Sequence, residues 1–160
     1  MSDPAVSSVL FVCLGNICRS PLGEGVLRHL VAQHSALAGR VEVDSAGTAA
    51  YHAGEGPDRR SIEAAERQGV SLAGQVARRV EAEDFDNFDL ILAMDAENLG
   101  NLESERPAGS SAKLHLLRDF DPAGKGDVPD PYYGGPDGFD DVFEMVHRSC
   151  VALLSTIDGS

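Results

Sequence analysis

Several protein classes are excluded by what the chain has little of. It contains no tryptophan, three cysteines, and 13 Lys and Arg against 26 Asp and Glu. The net charge of −13 is the opposite of the basic footprint a nucleic-acid binder needs, and it opposes docking on an anionic membrane. An acidic surface of this kind keeps a protein soluble, and an anionic substrate then has to be caught by a local positive site. No apolar run approaches the ~20 residues of a membrane span. The start, "MSDPAVSSVLFVC", has neither a basic segment nor a long apolar core, so it is not a signal peptide. An odd number of cysteines does not suggest a disulfide scaffold, and the chain reads as cytoplasmic with reduced thiols. No Cys/His cluster has zinc spacing, and there is no G-x-x-x-x-G-K-[ST] nucleotide loop.

The 160 residues fit one domain, with residues 1–7 as a loose tail and 8–160 as the folded unit. "SVLFV" at 8–12 is a short apolar run with β-branched and aromatic residues, a buried strand. Further strands are expected at 40–47, 88–95 and 112–117. Helices are expected from Ser20, as cap with Pro21 in first position, at 57–69, near 96–104 and over 138–156. Glu24 lies early in the first of these, near the positive end of the helix dipole. Along the last helix Phe139, Val142, Phe143, Val146, Cys150, Leu153 and Leu154 share an apolar face. The acidic run "EAEDFD" at 81–86 reads as a solvated loop, and 121–138, rich in Asp, Pro and Gly, as a long functional loop. Strands alternating with helices imply an α/β fold, a parallel sheet with helices on both faces, whose ligands bind beyond the carboxyl ends of the strands.

"FVCLGNICRSP" at 11–21 occupies that position after the first strand. Two cysteines so close could form a metal clip, a redox pair, or a nucleophile with a neighbour. A loop between a strand and a helix N-terminus can turn several N–H groups inward as an anion site. Gly15 and Asn16 suit the left-handed backbone such a curl needs. Arg19 can grip two phosphoryl oxygens at once. Cys13, five residues before it, would point at the centre, where amide dipoles, the helix terminus and Arg19 all favour thiolate. A thiolate beneath a phosphate is placed for in-line attack, with the same donors stabilising the equatorial oxygens. Ser20 could donate to the sulfur and make it a better leaving group. A phosphate ester also needs an acid for its leaving oxygen, and Asp130 in "VPDPYYGG" at 128–135 is the candidate. That segment alone fits a surface turn equally well.

"VLFVCLGNICRSP" and "DPYYGG", continued by "VDSAGT", "DFDNFDLILAMD" and the late helix, resemble the low-molecular-weight protein tyrosine phosphatase family over almost the whole chain. The resemblance implies a flavodoxin-like sheet of four parallel strands and no metal or organic cofactor. It implies Cys13 as nucleophile forming a cysteinyl-phosphate, Arg19 as phosphate binder, and Asp130 as general acid and then base. Leu14, Gly15, Asn16, Ile17, Cys18 and Ser20 would form the phosphate loop, with Asn16 and Ser45 in a network holding its shape. Tyr132 and Tyr133 would line the substrate cleft, Tyr51 would be a specificity-tuning rim residue, and Asp95 would support the site. Some relatives place His before the Gly of "RQGV" to complete the network; here it is Gln68, for which a modest effect on loop rigidity is expected. The expected partners are tyrosine-phosphorylated proteins, with inorganic phosphate as product inhibitor and the chain a monomer. Arg outnumbering Lys, with Ala and Gly common, hints at a GC-rich bacterial genome and so at a bacterial tyrosine kinase as one such protein.

Three related activities fit these residues less well. Thioredoxin-coupled arsenate reductases of this fold need two further cysteines, and only Cys150 is left. Protein arginine phosphatases of the family carry Thr where this chain has Ile17 and lack the double tyrosine. A non-enzymatic phosphotyrosine-binding module would be expected to lack Cys13, Arg19 or Asp130. The histidines look incidental. Cys18 reads either as a small packing residue or as a redox partner that captures a peroxide-formed Cys13 sulfenic acid as a disulfide.

Overall fold

β1, Ser8–Cys13, is buried at every position, as expected of a central parallel strand covered on both faces. The computed structural model describes residues 3–132 and 134–159; Tyr133, assigned to the cleft wall, lies outside them. β1 is followed by α1, Arg19–Gln33, β2, Glu42–Gly47, and α2, Arg59–Arg67. Next come a short helix α3, Asp84–Asn87, β3, Leu90–Ala93, α4, Ala96–Glu105, and β4, Lys113–Leu116. A 3₁₀ turn, Leu117–Phe120, leads into an irregular stretch and then α5, Pro136–Asp158.

The four strands are parallel in the order β2-β1-β3-β4. Alternation along β1 sends Val9, Phe11 and Cys13 into a core shared with α1 and α5. Leu10 and Val12 enter a second core with Phe85 of α3 and Leu102 of α4. The expected α/β fold with helices on both faces is therefore present. The chain leaves β1 toward β2 on one side and returns to β3 on the other. The carboxyl ends of β1 and β3 thus form the switch point where open α/β sheets place ligands.

Some local expectations are corrected. α1 begins at Arg19 with Cys18 at its cap position and no side-chain cap; Ser20 does not cap it, because its hydroxyl is engaged by Cys13 and Asn16. Pro21 still falls within the first turn, where an N–H has no helical partner to lose. The run 81–86 is not a solvated loop: Asp84 is buried and bound by Arg78, and Phe85 is in the core. Ahead of β1, Val6 N–H donates to Ile157 O at 3.2 Å and Ser7 N–H to Asp89 Oδ2 at 2.8 Å. Among the described residues no helix is long and apolar enough to cross a membrane.

Two glycines set how closely α1 approaches its neighbours. A Cβ on Gly23 would lie 2.4 Å from the Phe11 ring, and one on Gly25 2.3 Å from Leu72 Cδ2. Gly23→Ala is therefore expected to destabilise the protein by about 1–3 kcal/mol through overpacking, outweighing the ~1 kcal/mol helix-propensity gain. Equilibrium urea unfolding checks this; an unchanged or higher midpoint would contradict the packing account.

Candidate active site

Cys13 ends β1 and is 2% exposed. From it the chain curls through residues 14–18 into α1. Several loop carbonyls are engaged from outside: Thr48 and Ala49 N–H donate to the oxygens of Cys13 and Leu14, and Asp58 N–H to that of Ile17. Ser61 Oγ donates to Cys18 O at 3.1 Å. Among the described residues none accepts a hydrogen bond from the N–H groups of Leu14, Gly15, Asn16, Ile17 or Cys18. A buried N–H has to find an acceptor, and successive N–H groups in a curl beside a helix N-terminus favour an anion. Gly47 permits the close approach of β2: a Cβ there would meet Leu14 O at 2.7 Å.

Asn16 takes the expected left-handed backbone, with φ 58°. Gly15 does not; its lack of a Cβ instead admits the His52 ring, whose Cδ2 would be 3.0 Å from one. The Asn16 amide donates one hydrogen to Ser20 Oγ at 2.8 Å and the other to Ser45 Oγ at 2.9 Å. Each hydroxyl must then spend its own proton elsewhere. Ser20 lies 3.0 Å from Cys13 Sγ, and Ser45 donates to Glu24 Oε1 at 2.7 Å. Asn16 Oδ1 accepts Arg78 N–H at 3.1 Å. Burial raises the Glu24 carboxyl above its usual range, opposed by Ser45 and by Arg28, whose Nη2 lies 2.8 Å from Oε2.

Arg19 is 3% exposed. Its Nη1 donates to Asp95 Oδ2 at 2.6 Å and to Val128 O at 2.9 Å. Nη2 faces Asp130 Oδ2 at 3.8 Å. Burial works against its charge, but Cys13, Asp95 and Asp130 outweigh burial and raise its proton affinity. Asp95 also caps α4 through Asn98 N–H at 2.8 Å, so the guanidinium is held by a residue fixed at the end of β3. Asp130 is exposed and its Oδ1 accepts Tyr132 N–H at 3.0 Å. The stretch carrying it is anchored by Asp121, which Arg148 and Arg118 grip and hold well below the usual carboxylate range.

A cleft opens over the loop, lined by Cys13, Leu14, Gly15, Ile17, Cys18 and Arg19 at its floor and by Tyr51, His52, Asp130 and Tyr132 at its walls. The residues singled out in the sequence thus converge, Tyr133 aside. His52 is not incidental: it stands in the wall, with Nδ1 2.8 Å from Glu55 Oε2, and the His-x-x-Glu spacing just after "VDSAGT" is its only signal in the sequence. Glu24 does more than meet a helix dipole, since it is the network's terminus. Gln68 is exposed at the end of α2 and makes no hydrogen bond to Asn16, Ser45 or Glu24 among the described residues, so it does not stand in for a network histidine. No group of three or more metal-ligating side chains occurs among the described residues.

The family model described as low molecular weight phosphotyrosine protein phosphatase matches residues 8–160. The chain belongs to this family. It is 43% identical over 151 residues to the low molecular weight protein-tyrosine-phosphatase YfkJ of Bacillus subtilis, covering 94% of this chain and 95% of that one. A crystal structure of a protein tyrosine phosphatase from Entamoeba histolytica with Hepes in its active site superposes with a TM-score of 0.89 at 38% identity, covering 96% and 97% of the two chains. A crystal structure of the Drosophila arginine phosphatase DARP also superposes, with a TM-score of 0.85 at 33% identity and coverage of 92% and 95%. Likeness of fold is thus shared with proteins named for different phosphoamino acids.

The second loop thiol of this family member differs in state from a reactive one. Burial, with Asp58, Cys13 and Asp130 nearby, pushes Cys18 up to about 12, and burial also raises Cys150. Substoichiometric iodoacetamide near neutral pH is therefore expected to label Cys13 ahead of Cys18 and Cys150, as read by peptide mass spectrometry. Labelling of Cys18 first would contradict this ordering.

Proposed function

We propose that the protein is a tyrosine phosphatase that hydrolyses phosphotyrosine and small aryl phosphates through a cysteinyl-phosphate on Cys13. The observation that carries this reading is the position of the Cys13 sulfur at the foot of a curl whose N–H groups lack protein acceptors among the described residues, beside Arg19. In the first step the phosphoryl oxygens take those N–H groups and the Nε–Nη2 edge of Arg19, the edge that faces Asp130. The Cys13 thiolate attacks phosphorus, the P–O bond to the ring breaks, and Asp130 gives its proton to the departing phenolate. In the second step Asp130 takes a proton from water as the water oxygen attacks phosphorus. The P–S bond breaks, phosphate leaves, and the sulfur recovers its electron pair, steadied by the Ser20 hydroxyl. The donor set is present before charge develops, which is how fixed dipoles lower such barriers.

Tyr51 and Tyr132 at the walls suit a flat aromatic ring, and Tyr133 is assigned with them. Ile17 and the tyrosines favour phosphotyrosine over phosphoarginine, and turnover of phosphotyrosine and phosphoarginine peptides side by side discriminates the two. Phosphoarginine turned over faster would replace this reading with the arginine phosphatase one. Three cysteines with Cys150 buried in the core do not favour a disulfide relay for arsenate. Cys18 serves as a redox partner: a Cys13 sulfenic acid formed by peroxide reacts with the Cys18 thiol to give a disulfide and water. Because Cys18 is held as thiol, this capture quickens as pH rises. The substrates are tyrosine-phosphorylated proteins, such as a bacterial tyrosine kinase, the product phosphate competes for the loop, and the working unit is a cytoplasmic monomer formed by residues 8–160.

Cys13→Ser is expected to reduce turnover to background while phosphate still binds. Asp130→Asn is expected to lose about 10²–10⁴-fold on phenyl phosphate but far less on p-nitrophenyl phosphate, whose phenolate needs little help to leave. Steady-state kcat/KM on both substrates checks this. Full turnover by Cys13→Ser would overturn the nucleophile, and equal losses for Asp130→Asn on both substrates would overturn the general acid.

A further inference from the structure

The segment carrying Asp130 has no regular secondary structure, yet its carboxyl has to meet a leaving oxygen with hydrogen-bond accuracy. Upstream it is pinned to the sheet by Val128 N–H donating to Met94 O at 2.7 Å. Downstream of Asp130, Arg60 Nη1 on α2, far away in the chain, donates to Tyr132 O at 3.0 Å.

Arg60 is itself fixed on its other edge. Its Nε donates to Asp58 Oδ1 and its Nη2 to Asp58 Oδ2, both at 3.1 Å. Asp58 caps α2 by accepting Arg60 N–H at 2.8 Å. The guanidinium carbon lies 4.5 Å from the Phe139 ring centroid and 5.2 Å from that of Tyr132. The start of α2 is in turn bolted to the phosphate loop, since Asp58 N–H donates to Ile17 O at 2.7 Å and Ser61 Oγ to Cys18 O. A continuous line of contacts therefore runs from the phosphate loop through Asp58 and Arg60 to the carbonyl of Tyr132, the residue whose own N–H holds Asp130 Oδ1 at 3.0 Å.

We infer that Arg60 is a positioning residue for proton transfer: it couples the segment carrying Asp130 to the phosphate loop and so fixes the carboxyl over the bound phosphate ester. This rests on the reading of Asp130 as general acid. Only arginine supplies what the site uses, two donors on one edge for a carboxylate, a third for a carbonyl, and planar faces for two rings. Arg60 does not line the cleft floor, so it acts through the segment rather than on substrate.

The test is kcat/KM for Arg60→Ala, Arg60→Met and Asp130→Asn on phenyl phosphate and p-nitrophenyl phosphate, with inhibition by inorganic phosphate measured alongside. Arg60→Ala is expected to lose about 10- to 100-fold on phenyl phosphate, the scale of a misplaced reacting group. It should lose little on p-nitrophenyl phosphate and leave phosphate inhibition unchanged. Arg60→Met keeps the packed stem and carries the same expectation, so it decides the matter if Arg60→Ala does not fold. A loss that is equal on both substrates, absent, or matched by weakened phosphate inhibition overturns the inference, since a merely structural role would act that way. If Asp130→Asn discriminates between the substrates and the Arg60 variants do not, the inference alone falls. If Asp130→Asn does not discriminate either, the general-acid reading falls, and the inference with it.

Discussion

The site depends on the side-chain amide of Asn16. Its two hydrogens fix Ser20 and Ser45, and its oxygen takes the Arg78 N–H. It thereby joins the loop to α1, to β2 and to the segment beyond α2. The same residue holds a left-handed backbone, which an asparagine tolerates better than most residues. Because both amide hydrogens are committed, the Ser20 proton is free to face sulfur and the Ser45 proton to face Glu24. Buried polar groups left unpaired cost about 1–3 kcal/mol each, so the network resists any change in loop shape. Rigidity of this kind keeps the N–H groups aimed at one point whether or not an anion is there.

The fold supplies the rest of the geometry. β1 and β3 are neighbours, so their C-terminal extensions meet at the switch point: the loop after β1, and Asp95 after β3. Arg19 is the junction between them. It begins α1 in the chain, yet its guanidinium is held by Asp95 and by the Val128 carbonyl, which binds the acid-bearing segment to the loop. Glycine at 23 and 47 removes the side chains that would push the helix and β2 away from the strand and loop they contact. Removing bulk here serves position, at some cost to helix propensity.

The part of the site legible in the sequence is local. Cys13, Arg19 and Ser20 fall within one strand–loop–helix unit; their spacing alone is a weak signal, but with the apolar strand before it, Gly15-Asn16 within it and Ser20-Pro21 after it the unit argues for an anion cradle and a nucleophile. The parallel sheet is legible from alternating apolar runs, although α1 starts before Ser20 because that hydroxyl serves the site instead of the helix. Asp84 and Phe85 look like a solvated loop in the sequence because the burial that Arg78 and the second core provide comes from elsewhere in the chain. Glu24 and Arg60 escape for the same reason: their partners Ser45 and the Tyr132 carbonyl are distant in the chain, and a periodic pattern carries no trace of them. His52 leaves only the local signal of Glu55 three residues on. Gln68 is tied to the network only by analogy of position; the ion pair of Glu24 with Arg28, inside α1, occupies the end of that network in this chain.

The proposed mechanism requires Cys13 to carry the phosphoryl group between substrate and water. The direct measurement is mass spectrometry and ³¹P NMR of the enzyme quenched during turnover of p-nitrophenyl phosphate. One phosphoryl group per chain is expected, bonded to sulfur, on the peptide containing Cys13 and absent from Cys13→Ser. Phosphate bonded to another side chain, or steady turnover with no phosphorylated enzyme at any quench time, would contradict it.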